Sequence, residues 1–97
     1  MTNRTLLRRI RKSLREDEEL TVIFRRLRGK RGWYGTDATI ELSPTSEILP
    51  TLLHETIHHL YPNMSETNTL IYERRLSSSL STIQWKGLLE LLIVRLG

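Results

Sequence analysis

The chain contains no cysteine. That excludes a disulfide framework and every metal site built on thiolate, and it leaves histidine and carboxylate as ligands for any transition metal. It says nothing about redox compartment. The first residues hold no apolar stretch of the kind found in a secretory signal, so no signal peptide is expected. The most apolar run, Leu88 to Leu96, is interrupted by Glu90 and Arg95 and is about half as long as a membrane span requires. No repeat and no low-complexity linker is visible. The expectation is a soluble cytoplasmic protein without a membrane span. At 97 residues it is read as a single domain over 1–97, small enough for a bound metal or self-association to add to its stability.

The formal net charge is +4, with a pI near 10.0. Most of the excess sits in the first third, at Arg4, Arg8, Arg9, Arg11, Lys12 and Arg15, then at Arg25, Arg26, Arg28, Lys30 and Arg31. Such a balance suits nucleic acid or an acidic surface. It equally suits a solvated helix face followed by a charged hairpin. No helix-turn-helix glycine pattern, zinc-finger spacing or aromatic RNA-binding motif accompanies the arginines, so nucleic acid is not the expected partner.

The periodicities predict an α+β fold: an N-terminal helix, a small three-stranded sheet, an active-site helix, a glutamate helix and a C-terminal helical tail. Leu6, Leu7, Ile10 and Leu14 recur at helical spacing over 3–16, with Thr2 or Asn3 as cap. The acidic run Glu16 to Glu19 opposes the helix dipole and predicts a turn. Thr21 to Leu27 reads as a strand, Gly29 to Gly32 as a turn, and Trp33-Tyr34 as the start of a second strand. Gly35-Thr36-Asp37 turns again, and Ala38 to Leu42 alternates as a third strand, which completes a meander closed by Pro44. A second helix starts between Thr45 and Pro50 and stops near Tyr61, before Pro62. Ser65 caps a third helix from Glu66, weakened at Ser77 to Ser79, and Ser81 to Gly97 form the last.

The active-site helix carries Leu53-His54-Glu55-Thr56-Ile57-His58-His59-Leu60, an HExxH motif. His54 and His58 are one turn apart on one helix face and can chelate a single ion. Glu55 lies about 100° round the helix from His54, yet its longer side chain can reach a water on that ion. A metal held there acidifies the water and polarises a carbonyl. Glu55 then takes the proton and later delivers it to the leaving amine. Chance matches to three fixed positions occur in on the order of a few per thousand chains of this length, and here the motif also lies on an amphipathic helix. The alternative is a pair of surface or core-edge histidines without metal. Two imidazoles do not complete a catalytic zinc site, which usually has three protein ligands. Without cysteine, and with His59 pointing away from His58, the third should be a carboxylate. Glu66 and Glu73 both qualify. Glu66 is preferred because a short connection keeps the start of one helix near the end of its predecessor, although a first-turn acid is also favoured by the helix dipole alone.

The run HETIHHLYPNMSE, preceded by an N-terminal helix and a small sheet, resembles the minigluzincins. These are soluble archaeal proteins of about this length that look like minimal catalytic cores of certain membrane-embedded metallopeptidases. The resemblance covers the order of elements over nearly the whole chain, and specific motif residues only over about 54–66. It implies zinc as cofactor, His54 and His58 as ligands, Glu55 as general base and acid, and a glutamate of the following helix as third ligand. It also implies peptide-bond hydrolysis of a peptide or protein substrate by an HExxH zinc metalloendopeptidase, and isolation in a latent, zymogen-like form.

The strand Ala38 to Leu42 is then expected to border the cleft, where an edge strand can bind an extended peptide. Tyr61 and Tyr72 are candidate oxyanion donors that are more often core-edge packing. His59 is expected at the surface or behind the ligands, and Trp33 and Trp85 in the core. The apolar tail 81–97 must pack on the domain, on another copy of the chain, or in the cleft; the second would give self-association and the third latency. The competing functional reading is a small basic nucleic-acid-binding or protein-interaction module with a structural metal site.

Overall fold

Thr2 starts the chain's first helix by accepting the Thr5 N–H on its hydroxyl at 3.1 Å. This helix, α1 (Asn3–Glu16), buries Leu6, Leu7, Ile10 and Leu14 and turns its arginines outward. It ends where the acidic run begins. Its last carbonyls are not left to water, because Arg95 from the far end of the chain donates five hydrogen bonds to the carbonyls of Ser13, Leu14, Asp17 and Leu20, at 2.5 to 3.0 Å. A guanidinium is suited to this, with five donors in a planar fork and a positive charge for the negative end of the helix.

The structure is a computed structural model and describes residues 1–25, 32–35, 37–43 and 47–96. It contains four helices and one three-stranded sheet, the α+β arrangement expected. The strands are β1 (Thr21–Phe24), β2 (Gly32–Tyr34) and β3 (Thr39–Leu42). They do not form a meander. The order is β1-β3-β2, with β3 central, parallel to β1 and antiparallel to β2. Ile40 and Leu42 of β3 are fully buried and share the face that packs on α2 (Ile48–Leu60). β2 is short, begins with glycine and turns Trp33 outward, so it fits an edge. Among the described residues β1 and β2 do not pair, and Gly32 belongs to β2 itself. Leu27, the turn residues Gly29 to Arg31, the basic residues Arg26 and Arg28, Thr36, Pro44, Thr45 and Gly97 lie outside the described residues. Ala38, expected in the third strand, instead has φ 58° and closes the turn into it.

The helices obey their punctuation. In α2 (Ile48–Leu60), Pro50 sits in the first turn, where its missing N–H costs nothing. Ser65 caps α3 (Glu66–Ser79) by accepting the Asn68 N–H at 3.1 Å. Ser77 to Ser79 stay helical. The Ser78 and Ser79 hydroxyls bond back to the carbonyls of Arg74 and Leu76. Ser81 and Gln84 form a reciprocal capping box at the start of α4 (Thr82–Leu96).

One core collects side chains from every helix and from the sheet: Leu6 and Ile10 of α1, Ile40 and Leu42 of β3, Leu53 and Ile57 of α2, Leu76 of α3 and Leu88 of α4. Of the three fates open to the C-terminal tail, the structure shows packing on the domain. Leu88 and Leu92 are buried, and α4 lies against α1 and β1. Among the described residues no helix is long and apolar enough to cross a membrane.

Candidate functional site

The helical repeat of α2 sets His54 and His58 on one face, with ring centroids 4.9 Å apart. Pro62 forces the chain out of α2, and the Met64 N–H bonds back to the Tyr61 carbonyl at 3.0 Å. This tight turn returns α3 along α2, so that Glu66, its first residue, faces both histidines. Glu66 Oε1 lies 2.7 Å from His54 Nε2, and Oε2 lies 2.7 Å from His58 Nε2. One potential ligand atom from each of the three residues falls within 4.8 Å of the others. Burial raises the Glu66 pKa, but hydrogen bonds and charge from His54 and His58 outweigh it and hold the carboxyl below its ordinary value. Two imidazole nitrogens and one carboxylate oxygen are a donor set that suits zinc, and three protein ligands is the number of a catalytic rather than a structural site.

Glu73 occupies a different place. It is buried, with Oε1 3.9 Å from His54 Nδ1, on the far side of the ring from Glu66. It thus stands beside the ring nitrogen that does not face Glu66, beyond hydrogen-bond distance. Glu55 is 6% exposed and lines the adjoining cleft together with His58 and Glu66.

That cleft has a volume of about 690 Å³ and is lined by Gly32, Trp33, Tyr34, Gly35, Glu55, His58, Pro62 and Glu66. A smaller pocket of about 340 Å³ shares Gly32, Glu55 and Glu66 with it and reaches His54 and Glu73. The strand bordering the cleft is thus β2, not the segment 38–42, because β3 lies in the interior of the sheet. Trp33 is not in the core either. The period-two alternation of an edge strand turns it outward, and it stands about half exposed in the cleft wall.

β2 approaches α2 closely because Gly32 has no side chain. A Cβ built there would lie 2.4 Å from Thr51 Cγ2 and 3.2 Å from Glu55 Cγ. Gly32→Ala should therefore push the strand off the helix beside Glu55, with a loss of about 1–3 kcal/mol of stability in a urea titration. Gly35→Ala is the control. Its Cβ would meet chiefly the Asp37 carboxylate at 2.9 Å, a flexible group that can swing away. Equal losses for the two variants would show that close approach is not what Gly32 provides.

A polar relay holds the other wall. The Asp17 carboxylate accepts from His59 Nε2 at 2.5 Å, and His59 Nδ1 lies 2.8 Å from the Tyr34 hydroxyl. In a neutral ring bonded this way Nε2 is the donor, so Nδ1 accepts from the tyrosine. The His59 hydrogen bond lowers the Asp17 pKa against a smaller opposing effect of burial. Burial, then the charges of Asp17 and Asp37, raise that of Tyr34. His59 is accordingly a second-layer residue, which ties the end of α1 to β2. Tyr61 bonds to Arg9 on α1 and to Met1 ahead of it, and Tyr72 lies under Arg75; neither lines the cleft.

Gly32, Tyr34 and Asp17 had no place in the sequence-based site. For Gly32 a signal existed, since glycine immediately before strand residues often marks close backbone approach. For Asp17, far from the motif in sequence, there was none. No protein family, curated protein or solved structure matches the chain.

Proposed function

We propose that this protein is a zinc-dependent metallopeptidase of the minimal gluzincin type, acting on peptide or protein substrates. The observation that carries the reading is the convergence of His54, His58 and Glu66 at the wall of an open cleft, with the buried carboxyl of Glu55 in the same wall. Zinc, when bound there, supplies a Lewis acid and an acidified water. The chain's own residues do the rest. His54, His58 and Glu66 would hold the ion, and Glu73 stands beside the far nitrogen of the His54 ring. Glu55 takes a proton from the attacking water and returns it to the leaving amine. β2 offers its outer edge, which no other strand covers among the described residues, to the backbone of an extended peptide.

The competing reading, a nucleic-acid-binding or protein-interaction module with a structural metal clip, fits the site less well. A clip is closed by four protein ligands, whereas His58 and Glu66 border a cleft.

Metal analysis of protein purified without chelator is expected to find about one zinc per chain. Glu55→Gln should keep that zinc and lower the hydrolysis of a quenched peptide library by about 100-fold or more. Wild-type turnover in Glu55→Gln would end the mechanism, and a metal-free wild-type protein that takes up no added zinc would end the reading.

A further inference from the structure

Two surface features of the terminal helices serve neither the core nor the cleft. The first is apolar. On α4, Ile83 is 83% exposed, Val94 79% and Ile93 59%, although Leu88 and Leu92 on the opposite side are buried. The second is basic. Arg4, Arg8, Arg11 and Arg15 recur on α1 at alternating spacings of four and three residues, which makes one stripe along the helix. Among the described residues Arg4, Arg8 and Arg11 have no carboxylate partner, and Arg15 has only its exposed neighbour Glu16 at 3.5 Å.

The two features run side by side. Arg4 shares a shallow groove with Gln84, near the start of α4. The Arg11 guanidinium reaches Gly87, where a Cβ would lie 4.0 Å from its Nη2. Arg15 shares a groove with Val94, near the end of α4; Glu16, Asp17 and Glu18 line it too, so the basic character of the face is carried by Arg4, Arg8 and Arg11. The arginine stripe therefore flanks α4 along most of its length, with Ile83 and Val94 on the side of α4 nearest to it. Lys86 and Glu90 are the other charged residues on the outward face of α4, and they offset each other.

We propose that this joint face of α1 and α4 docks on the surface of an anionic lipid bilayer. The arginines sit at the level of the lipid phosphates, and Ile83, Ile93 and Val94 enter the boundary between headgroups and acyl chains. The pairing selects this occupant. Nucleic acid rewards the cations and leaves the apolar side chains in water. A second copy of the chain rewards the apolar side chains and brings two arginine stripes towards each other. An anionic bilayer rewards both at once. α4 lies in the interfacial plane, since it is too short and too charged to span. No cleft-lining residue belongs to α1 or α4, so docking leaves the cleft accessible, and the proposal stands independently of what the cleft does.

Sedimentation of the full chain with large unilamellar vesicles tests it. Binding is expected to vesicles of equal parts phosphatidylcholine and phosphatidylglycerol, weakening with salt, and to be far weaker on phosphatidylcholine alone. Ile83→Ser with Val94→Ser changes two exposed positions and should leave the circular dichroism spectrum unchanged. It should weaken binding to the mixed vesicles by about tenfold or more. Arg8→Gln with Arg11→Gln should weaken that binding by about 25-fold, from a factor of about five per arginine, and leave binding to phosphatidylcholine as it was. No binding to the mixed vesicles at low salt, or binding that survives both double variants, would overturn the proposal. So would the other occupants, each in the absence of vesicle binding: duplex DNA bound with a steep salt slope, or a dimer in sedimentation equilibrium that Ile83→Ser with Val94→Ser disperses.

Discussion

His58→Ala is expected to abolish stoichiometric zinc binding, with Glu66→Gln close behind and Glu73→Gln well short of both. The ranking follows from which atoms converge. His58 Nε2 and the Glu66 carboxylate face one point, with His54 Nε2 on its third side. Removing an imidazole leaves a two-ligand site. Replacing the carboxylate by an amide leaves three potential donors but removes the charge that offsets the ion's. Glu73 stands behind His54, so its loss should cost what outer partners of metal ligands usually cost, about 10- to 100-fold in affinity. Competition against a chelator of known affinity gives the order directly. Thermal unfolding gives it independently, because a ligand that binds only the native state raises the midpoint. Added zinc should raise the wild-type midpoint and leave that of His58→Ala where it was. If Glu73→Gln lost more affinity than Glu66→Gln, the third ligand would be Glu73.

Truncation after Leu80 is expected to unfold the protein. α4 contributes Leu88 and Leu92, each worth about 2–3 kcal/mol when fully buried. It also contributes the partly buried Trp85, Leu91 and Leu96, and the five hydrogen bonds of Arg95. That sum is of the same order as the whole stability of a small domain, about 5–10 kcal/mol. The fragment should show no cooperative thermal transition by circular dichroism. A fragment that stayed folded, kept zinc and cleaved peptides faster than the intact chain would instead make α4 an inhibitory element.

The helices were legible because their signals are local. Thr2, Ser65 and Pro62 act within one turn of themselves, and the spacing of Leu6, Ile10 and Leu14 is a property of one segment. His54, Glu55 and His58 were legible for the same reason, since a helix fixes their relative positions whatever surrounds it. Glu66 could be favoured over Glu73, but not chosen outright, because the choice depends on how two helices meet. The sheet was misread where pairing is non-local. Nothing within 21–42 announces that β3 inserts between β1 and β2, and a turn-like Gly29 to Gly32 argues for a hairpin. That error displaced the cleft wall with it, from β3 to Trp33 and Tyr34 of β2. Asp17 looked like part of an unfavourable acidic run. Only the fold brings His59 and Arg95 to it.

Arg95 also orders events in time. Its bonds join residues 75 to 82 positions apart, whereas the His54–Glu66 contact spans 12. Loop closure over the longer span costs more entropy, and contacts of that separation slow folding. The hairpin of α2 and α3 can therefore bring His54, His58 and Glu66 together at a stage when the end of α1 still frays. During synthesis the first helix waits, its final carbonyls solvated, until α4 has been made. The last step of assembly is then the closing of the two outer helices against a hairpin already formed.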